Sequence, residues 1–277
     1  MTDSVVIIGA GHAGVQAAAS LREEGFGGKV TLVSEERDLP YHKPPLSKTF
    51  VKNDAAQPQP LRGETFYTGH DITLAFGGKV GRLNLSTRWI ELSDGGRLPF
   101  GKLILATGAR PRPLLLPGID LAGVAVLRTL DDARTIRDMA RTASEVVVIG
   151  AGFIGLEIAA TLAAGGRTVT VVEAMERPLG RGVAAVIAAH VRQRMETGGI
   201  RILTDARIEA LDGENGRVRG VRLASGATIP ADLVIVGIGV TPNVEMAAEE
   251  GLAIGTPSFM SPEQARGDMT DVDELSD

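Results

Sequence analysis

Val6-Ile7-Ile8-Gly9-Ala10-Gly11-His12-Ala13-Gly14 recurs 141 positions later as Val147-Val148-Ile149-Gly150-Ala151-Gly152-Phe153-Ile154-Gly155. The text that follows recurs too, because Val30-Thr31-Leu32-Val33-Ser34-Glu35 is echoed by Val169-Thr170-Val171-Val172-Glu173. Each copy reads strand, G-x-G-x-x-G turn, Ala-rich helix, turn, strand and acid. The first glycine of such a loop admits a tight turn, the second lets a pyrophosphate approach the backbone, and the third lets helix and strand pack closely. The start of the helix then turns N–H groups and a positive dipole end toward the phosphates. Glu35 lies 21 residues after Gly14 and Glu173 lies 18 after Gly155, the spacing at which a carboxylate accepts ribose hydroxyls. A glycine turn used only for packing does not explain the paired acids. Two complete copies imply two dinucleotides, and two dinucleotides in one chain suggest a flavin exchanging electrons with a nicotinamide, positioned and tuned by the protein.

The composition narrows the chemistry. The 277 residues are 44% hydrophobic and 23% charged, with 35 glycines and a net charge of −5, an ordinary globular balance with no electrostatic reason to expect nucleic acid or an anionic membrane. There is no cysteine, so a disulfide scaffold, a thiolate metal site, a cysteine-held iron–sulfur cluster and a redox CxxC pair are excluded within this sequence. The four histidines are scattered without metal-ligand spacing, and no metal is expected. Met1 to Ser4 lacks the positive charge that opens a secretory leader. The two most apolar stretches, Val5 to Leu21 and Val146 to Gly166, are long enough to invite a membrane-spanning reading, but glycines break each into a β-branched run and an Ala-rich run. We expect a soluble, cytoplasmic protein with no membrane partner.

The elements that must position these residues can be laid out along the chain. Length gives a prior of about two domains. After the first copy, Arg82–Leu85, Arg88–Leu92 and Arg97–Phe100 read as short antiparallel strands around an Asp94-Gly95-Gly96 turn. Leu103–Gly108 reads as a buried strand ending in a glycine turn, Arg110 to Gly118 as a Pro-rich linker, and Leu130–Arg141 as a helix. After the second copy, Val183–Thr197 has helical spacing stopped by Gly198-Gly199. Ile200–Thr204, Arg207–Leu211, Arg217–Leu223 and Ala227–Ile229 follow as strands, and Asp232–Val240 is a second buried strand running into a glycine turn. The fold class is α/β, with two Rossmann-like domains: residues 1–110, then an inserted 111–242, with 243–254 returning to the first domain and 255–277 as a separate tail.

These strings resemble the FAD-dependent pyridine nucleotide reductases, and within them the ferredoxin, putidaredoxin and rubredoxin reductase branch. The resemblance rests on Pro40-Tyr41-His42-Lys43-Pro44-Pro45-Leu46-Ser47-Lys48, Ala106-Thr107-Gly108 with Arg110-Pro111-Arg112, and Leu127-Arg128-Thr129-Leu130-Asp131-Asp132. It extends through Gly155-Leu156-Glu157 and Gly237-Ile238-Gly239-Val240-Thr241-Pro242-Asn243, from about Ser4 to about Leu252. It implies an FAD site at Gly9, Gly11, Ala13, Gly14 and Glu35, with Val80 at the adenine end and Ala106, Thr107 and Gly108 contributing. Lys48 would lie by the flavin ring and Arg128 would reach the FAD. Gly150, Gly152, Ile154, Gly155, Glu173 and Gly239 would hold the nicotinamide cofactor, and Lys48 and Glu157 would face each other near the hydride-transfer point as the catalytic pair. A carboxylate at Glu173 suits a free 2′-hydroxyl, which favours NADH over NADPH, although Arg177 lies nearby. Without a thiol, the implied route is hydride from NADH to flavin, then single electrons to an iron–sulfur partner of ferredoxin or rubredoxin type.

The reductases this chain resembles continue with a further FAD-domain strand, a glycine–aspartate motif and a C-terminal domain. Here, Gly255 to Asp277 instead resembles the end of a serine/threonine kinase activation segment, with Ser261-Pro262-Glu263 in the place of its A-P-E motif. No upstream kinase string accompanies it, so we expect a junction and a disordered tail, not phosphoryl transfer. The first domain is then expected to be incomplete and to fold less well than the second. Other readings stay open: a fragment that binds NAD only, a nitrite-reductase-like or apoptosis-inducing-factor-like NADH flavoprotein, or a fusion that signals through its tail.

Overall fold

Both copies of the repeat build a parallel sheet, and the two sheets are wired alike. The computed structural model describes residues 3–251. The kinase-like segment 255–277 and the end of the return segment lie outside the described residues. The chain runs β1 (Ser4–Ile8), α1 (His12–Glu23), β2 (Lys29–Ser34), a 3-10 turn (Pro44–Ser47), α2 (Thr49–Lys52), α3 (Glu64–Gly69) and β3 (Ile72–Phe76). It continues with β4 (Val80–Asn84), β5 (Trp89–Leu92), β6 (Arg97–Pro99), β7 (Lys102–Leu105), β8 (Ala109–Pro111), β9 (Val124–Val126), α4 (Leu130–Ala140), β10 (Glu145–Ile149), α5 (Phe153–Ala164) and β11 (Thr168–Val172). It closes with α6 (Ala185–Thr197), β12 (Arg201–Leu203), β13 (Ile208–Glu214), β14 (Arg217–Leu223), β15 (Thr228–Pro230), β16 (Leu233–Val236), β17 (Val240–Pro242) and α7 (Glu245–Glu249).

The described chain divides into two units, the first made of residues 3–41, 60–109 and 242–251, the second of 42–59 and 110–241. The sequence boundary at residue 110 does not anticipate one feature, which is that His42–Gln59 groups with the second unit.

In the first unit the parallel sheet has the order β3-β2-β1-β7. Val5 to Ile8 lie between Val30 to Val33 on one side and Lys102 to Leu105 on the other. Strand β1 alternates with period two. Val5 and Ile7 pack with Val15 and Ala18 of α1 and with Tyr67 of α3. Val6 and Ile8 pack with Leu83, Ile90 and Phe100 around the small antiparallel sheet β4-β5-β6. Being covered on both faces, the strand is an unbroken apolar run.

The second unit repeats the plan as β12-β11-β10-β16-β9, with a second antiparallel sheet, β13-β14-β15. Val147 and Ile149 occupy the positions of Val6 and Ile8 and pack with Leu211, Val218 and Val221 of the small sheet. The two apolar stretches that invited a membrane reading are β1 with α1 and β10 with α5, each broken at its glycines. Among the described residues, no helix is long and apolar enough to cross a membrane.

Two expectations shift in detail. The strand before Gly108 is Lys102–Leu105, and it is half-buried where the sequence pattern suggested full burial. Helix α6 starts at Ala185 and buries only Ala188, leaving Val186 and Ile187 exposed, so its apolar spacing does not mark a core face.

Arg22 ties the end of α1 to the rest of the first unit. Its guanidinium donates to the carbonyls of Phe26 (2.5 Å), Gly28 (2.8 Å), His70 (2.7 Å) and Asp71 (2.8 Å). Carbonyls that lose a charged donor lose more than those in a neutral pair. Arg22→Met is therefore expected to lower the stability of the first unit by about 2 kcal/mol. Urea unfolding followed through the single tryptophan, Trp89, which lies in that unit, measures it. A change under about 0.5 kcal/mol would show that water serves those carbonyls equally well.

Candidate functional site

The three glycines of each loop are glycine for different reasons, and the structure separates them. Gly9 (φ +105°) and Gly150 (φ +100°) have backbones that L side chains rarely adopt. A Cβ on Gly9 would sit 2.0 Å from the carbonyl oxygen of Ala106, and one on Gly150 would sit 2.4 Å from that of Gly237. Each loop thus crosses the end of the neighbouring strand at van der Waals contact. The third glycines lock helix to loop, since a Cβ on Gly14 would lie 1.9 Å from the Gly9 oxygen and one on Gly155 would lie 2.1 Å from the Gly150 oxygen.

The second glycines are different. Gly11 (φ −75°, ψ −172°) and Gly152 (φ −76°, ψ −179°) have extended backbones that any residue adopts. A Cβ on either would meet no atom within 4 Å. No protein atom crowds either position, so each loop leaves open space above its backbone. Each of these glycines is the N-cap of its helix and brings no side chain to cap it, and the first bonds of the helices are Val15 N–H to Gly11 O and Leu156 N–H to Gly152 O. The chemistry of the site, an open backbone cradle at a helix N-terminus, fits a pyrophosphate.

The acids that end the second strands are held differently. Glu35 is exposed and its carboxylate makes no hydrogen bond among the described residues. Glu173 is half-buried and accepts from Ala151 N–H (2.7 Å) with Oε2 and from Met175 N–H (2.9 Å) with Oε1. Each oxygen keeps acceptor capacity toward the space over the loop. In the second unit this space is a cleft of about 810 Å³, lined by Gly150–Gly155, Glu173, Met175, Arg207 and Gly239, among others. Phe153 (60% exposed) and Ile154 (42% exposed) stand at it, as expected of apolar groups waiting to be covered.

A second cavity of about 280 Å³ in this unit collects the charged candidates. Lys48, Ser47, Arg128, Ile154 and Glu157 line it. Lys48 Nζ lies 2.7 Å from Glu157 Oε2, so the structure brings together the pair that the sequence strings implied. Ser47 Oγ donates to that same oxygen at 2.7 Å. Burial pushes the Glu157 carboxyl up, but the hydrogen bonds from Lys48 and Ser47 and the Lys48 charge outweigh it, leaving the carboxyl below its ordinary 4.5. Arg128 is set just before α4, where Thr129 and Asp132 form a capping box and Asp132 Oδ2 also accepts from Arg128 N–H (2.9 Å). Its guanidinium is half-buried and has no hydrogen bond or ion pair among the described residues.

The remaining candidates fall as follows. Ala13 is exposed in the first turn of α1. Val80 opens β4, opposite Leu92, and packs on the small-sheet core. Ala106 supplies the carbonyl against Gly9. Thr107 Oγ1 donates to Asn243 O (2.6 Å), Asn243 Nδ2 returns a bond to Thr107 O (3.0 Å), and Asn243 N–H donates to Gly108 O (2.9 Å). Sequence reasoning did not assign Asn243, Ser47 or Thr161 a role. The first two lie inside strings it quoted, and no local pattern marks Thr161.

Two outcomes follow from this geometry. Gly11→Ala and Gly152→Ala leave folding intact, with the melting temperature unchanged or slightly raised, but weaken dinucleotide binding at their own loop at least tenfold. Gly14→Ala and Gly155→Ala destabilise by about 2 kcal/mol or more through overpacking. Thermal melts with calorimetric titration of each nucleotide separate the two classes, and equal melting losses in all four variants would refute the assignment. Second, a carboxyl held below its usual value contributes stability that is present above the unfolded value and is lost as pH falls through the folded one. The Lys48–Glu157 pair is 48% and 37% exposed, so its worth is no more than about 1 kcal/mol. The stability gap between the native chain and Glu157→Gln should persist from pH 7 to about pH 5 and close only as pH falls past the carboxylate range. Urea midpoints across that series test it.

The comparisons with known proteins agree with this geometry. The sequence profile of the pyridine nucleotide-disulphide oxidoreductases matches residues 3–260. Rhodocoxin reductase of Rhodococcus erythropolis is 43% identical over 252 residues, covering 91% of this chain and 59% of that protein. A rubredoxin–NAD(+) reductase of Pseudomonas putida is 40% identical, covering 91% of this chain and 66% of that one. The crystal structure of a ferredoxin reductase from Rhodopseudomonas palustris superposes with a TM-score of 0.88 at 42% identity, over 92% of this chain and 63% of that one. The chain thus spans roughly three-fifths to two-thirds of the length of these relatives. With the profile matching residues 3–260, this chain belongs to the pyridine nucleotide-disulphide oxidoreductase family.

Proposed function

We propose that this chain is the nucleotide-binding part of an NADH-dependent FAD reductase that serves a ferredoxin- or rubredoxin-type carrier in the cytoplasm. The observation that carries the reading is the pair of glycine loops, each opening a helix whose N-cap glycine has no side chain and leaves open space above it. The names of the relatives support the electron-transfer role, since they include reductases of rubredoxin and of putidaredoxin. When bound, a nicotinamide supplies hydride and a flavin accepts it and releases electrons singly, which is what an iron–sulfur carrier takes. Lacking cysteine, the chain offers no thiol for the disulfide chemistry of its family's name.

The residues divide the work. In the first unit, the Gly9–Gly14 loop and α1 hold the FAD pyrophosphate, Glu35 accepts from the adenosine ribose, and Ala106, Thr107 and Gly108 frame the loop. Val80 lies at the adenine end. In the second unit, the Gly150–Gly155 loop holds the NADH pyrophosphate and Glu173 its ribose, with Ile154 and Gly239 walling the cleft. Lys48, held in place by Glu157, and Arg128 are the cations that the resemblance assigns to the flavin.

The preference for NADH rests on Glu173. Its carboxylate is fixed by two backbone N–H groups and repels a 2′-phosphate. Arg177, the nearby cation in sequence, donates to Val183 O (2.9 Å) and Gly180 O (3.1 Å) and closes its own loop. Arg181 and Arg207 do line the cleft, so the discrimination comes from the carboxylate and not from a lack of cations.

The test is a visible spectrum of the purified chain, before and after added FAD and then with anaerobic NADH. A flavin band that bleaches with NADH supports the reading. No flavin band, with NADH still bound, makes the chain an NAD-binding piece only. Glu173→Ala should narrow the NADH-to-NADPH affinity ratio at least tenfold, and an unchanged ratio would remove Glu173 from the discrimination.

A further inference from the structure

We infer that Ser47 is a positioning residue for the Lys48–Glu157 pair, and that Thr161 locks the turn that carries it. The inference rests on the reductase reading for its consequence, but not for its geometry.

Ser47 ends the 3-10 turn Pro44–Ser47 and is 4% exposed. A buried hydroxyl requires a partner, and this one donates to Glu157 Oε2 at 2.7 Å. Lys48 donates to the same oxygen at 2.7 Å, so a single carboxylate oxygen takes both bonds. Lys48 Nζ also donates to Pro44 O at 3.3 Å. An ammonium has three N–H groups. With two directions set by Glu157 Oε2 and Pro44 O, the third is set as well, and Lys48 lines the 280 Å³ cavity with Arg128 and Ile154. That aim holds only while Glu157 Oε2 stays where it is. Lys48 alone is a weak anchor, because it is a flexible chain and half exposed. Ser47 is the rigid one.

Thr161 closes the frame. It lies one turn after Glu157 on α5, and its single O–H donates to Ser47 O (2.7 Å), with Glu157 O (3.0 Å) as the alternative acceptor. The turn that carries Ser47 and Lys48 is therefore pinned to the helix that carries Glu157 by side chains one helical turn apart. Sequence separation hides this arrangement, since Ser47 and Thr161 are 114 positions apart.

The experiment compares Ser47→Ala, Ser47→Thr and Thr161→Val with the native chain. The first readout needs no cofactor: carbon-13 NMR titration of the Glu157 carboxyl, assigned by Glu157→Gln. Ser47→Ala should raise its midpoint by about half a unit or more, Ser47→Thr should restore it, and Thr161→Val should shift it in the same direction but less. The second readout is the rate of FAD reduction by NADH against pH. Ser47→Ala should slow it about tenfold and move the profile, with NADH affinity unchanged. An unmoved titration midpoint in Ser47→Ala and Thr161→Val overturns the proposal, as does a threonine variant no better than alanine. If the native chain takes up no flavin, the reductase reading fails, and the titration still decides the role of Ser47. Should Ser47→Ala not fold, Thr161→Val carries the test.

Discussion

A carbonyl oxygen packed against an α-carbon organises each half of this chain. The oxygen of Gly9 lies where a side chain on Gly14 would begin, and the oxygen of Gly150 does the same to Gly155. Each contact fixes the start of a helix against the end of a strand. Each loop is in turn pressed on the next strand, where the Ala106 and Gly237 oxygens leave no room for a Cβ on Gly9 or Gly150. Strand, loop, helix and neighbouring strand therefore form one rigid corner at the point where the sheet order reverses, β1 lying between β2 and β7 and β10 between β11 and β16. The apolar faces of β1 and β10 supply the energy that holds this corner together. Its geometry, not its energy, is what a ligand meets.

How much of this was legible in the sequence follows from how local each determinant is. The glycine loops, the strands beside them and the distant acids are local patterns repeated twice, and repetition made them readable. The alternation of Val5 and Ile7 against Val6 and Ile8 is period two, but a doubly covered strand hides it as a plain apolar run. Helix α6 was legible from its spacing and its glycine stop, although Val186 and Ile187 are exposed. The grouping of residues 42–59 with the second unit was not legible in any local pattern, because it depends on Ser47, Lys48 and Arg137 meeting partners far along the chain.

Among the candidate residues, the division is between what a strand end or helix start dictates and what tertiary contact dictates. Arg128 came from resemblance, and the capping box of Thr129 and Asp132 beside it emerged only in the structure. Lys48 and Glu157 came only from resemblance, since a lysine in a loop and a glutamate on a helix read as surface residues. Their 2.7 Å contact is the product of the fold. Ser47 and Thr161 lie further out on the same gradient. Each is an ordinary hydroxyl until the structure gives it partners.

The two copies share their cradles and differ in their acids, which is where selectivity between dinucleotides can arise. Glu35 stands exposed at its strand end without a hydrogen bond among the described residues, so no protein partner fixes its carboxylate. Glu173 is bonded to Ala151, the residue between the first two glycines of its own loop. The group that would sense the 2′-position and the loop that would hold the pyrophosphate are thus parts of one hydrogen-bonded frame. A 2′-phosphate cannot be relieved there by a small swing of the carboxylate, because moving Glu173 means giving up the Ala151 N–H bond in the loop itself. Under the proposed preference for NADH, discrimination against the phosphorylated nucleotide would depend on the rigidity of the loop as well as on charge, and the same glycine contacts that shape the cradle would enforce it.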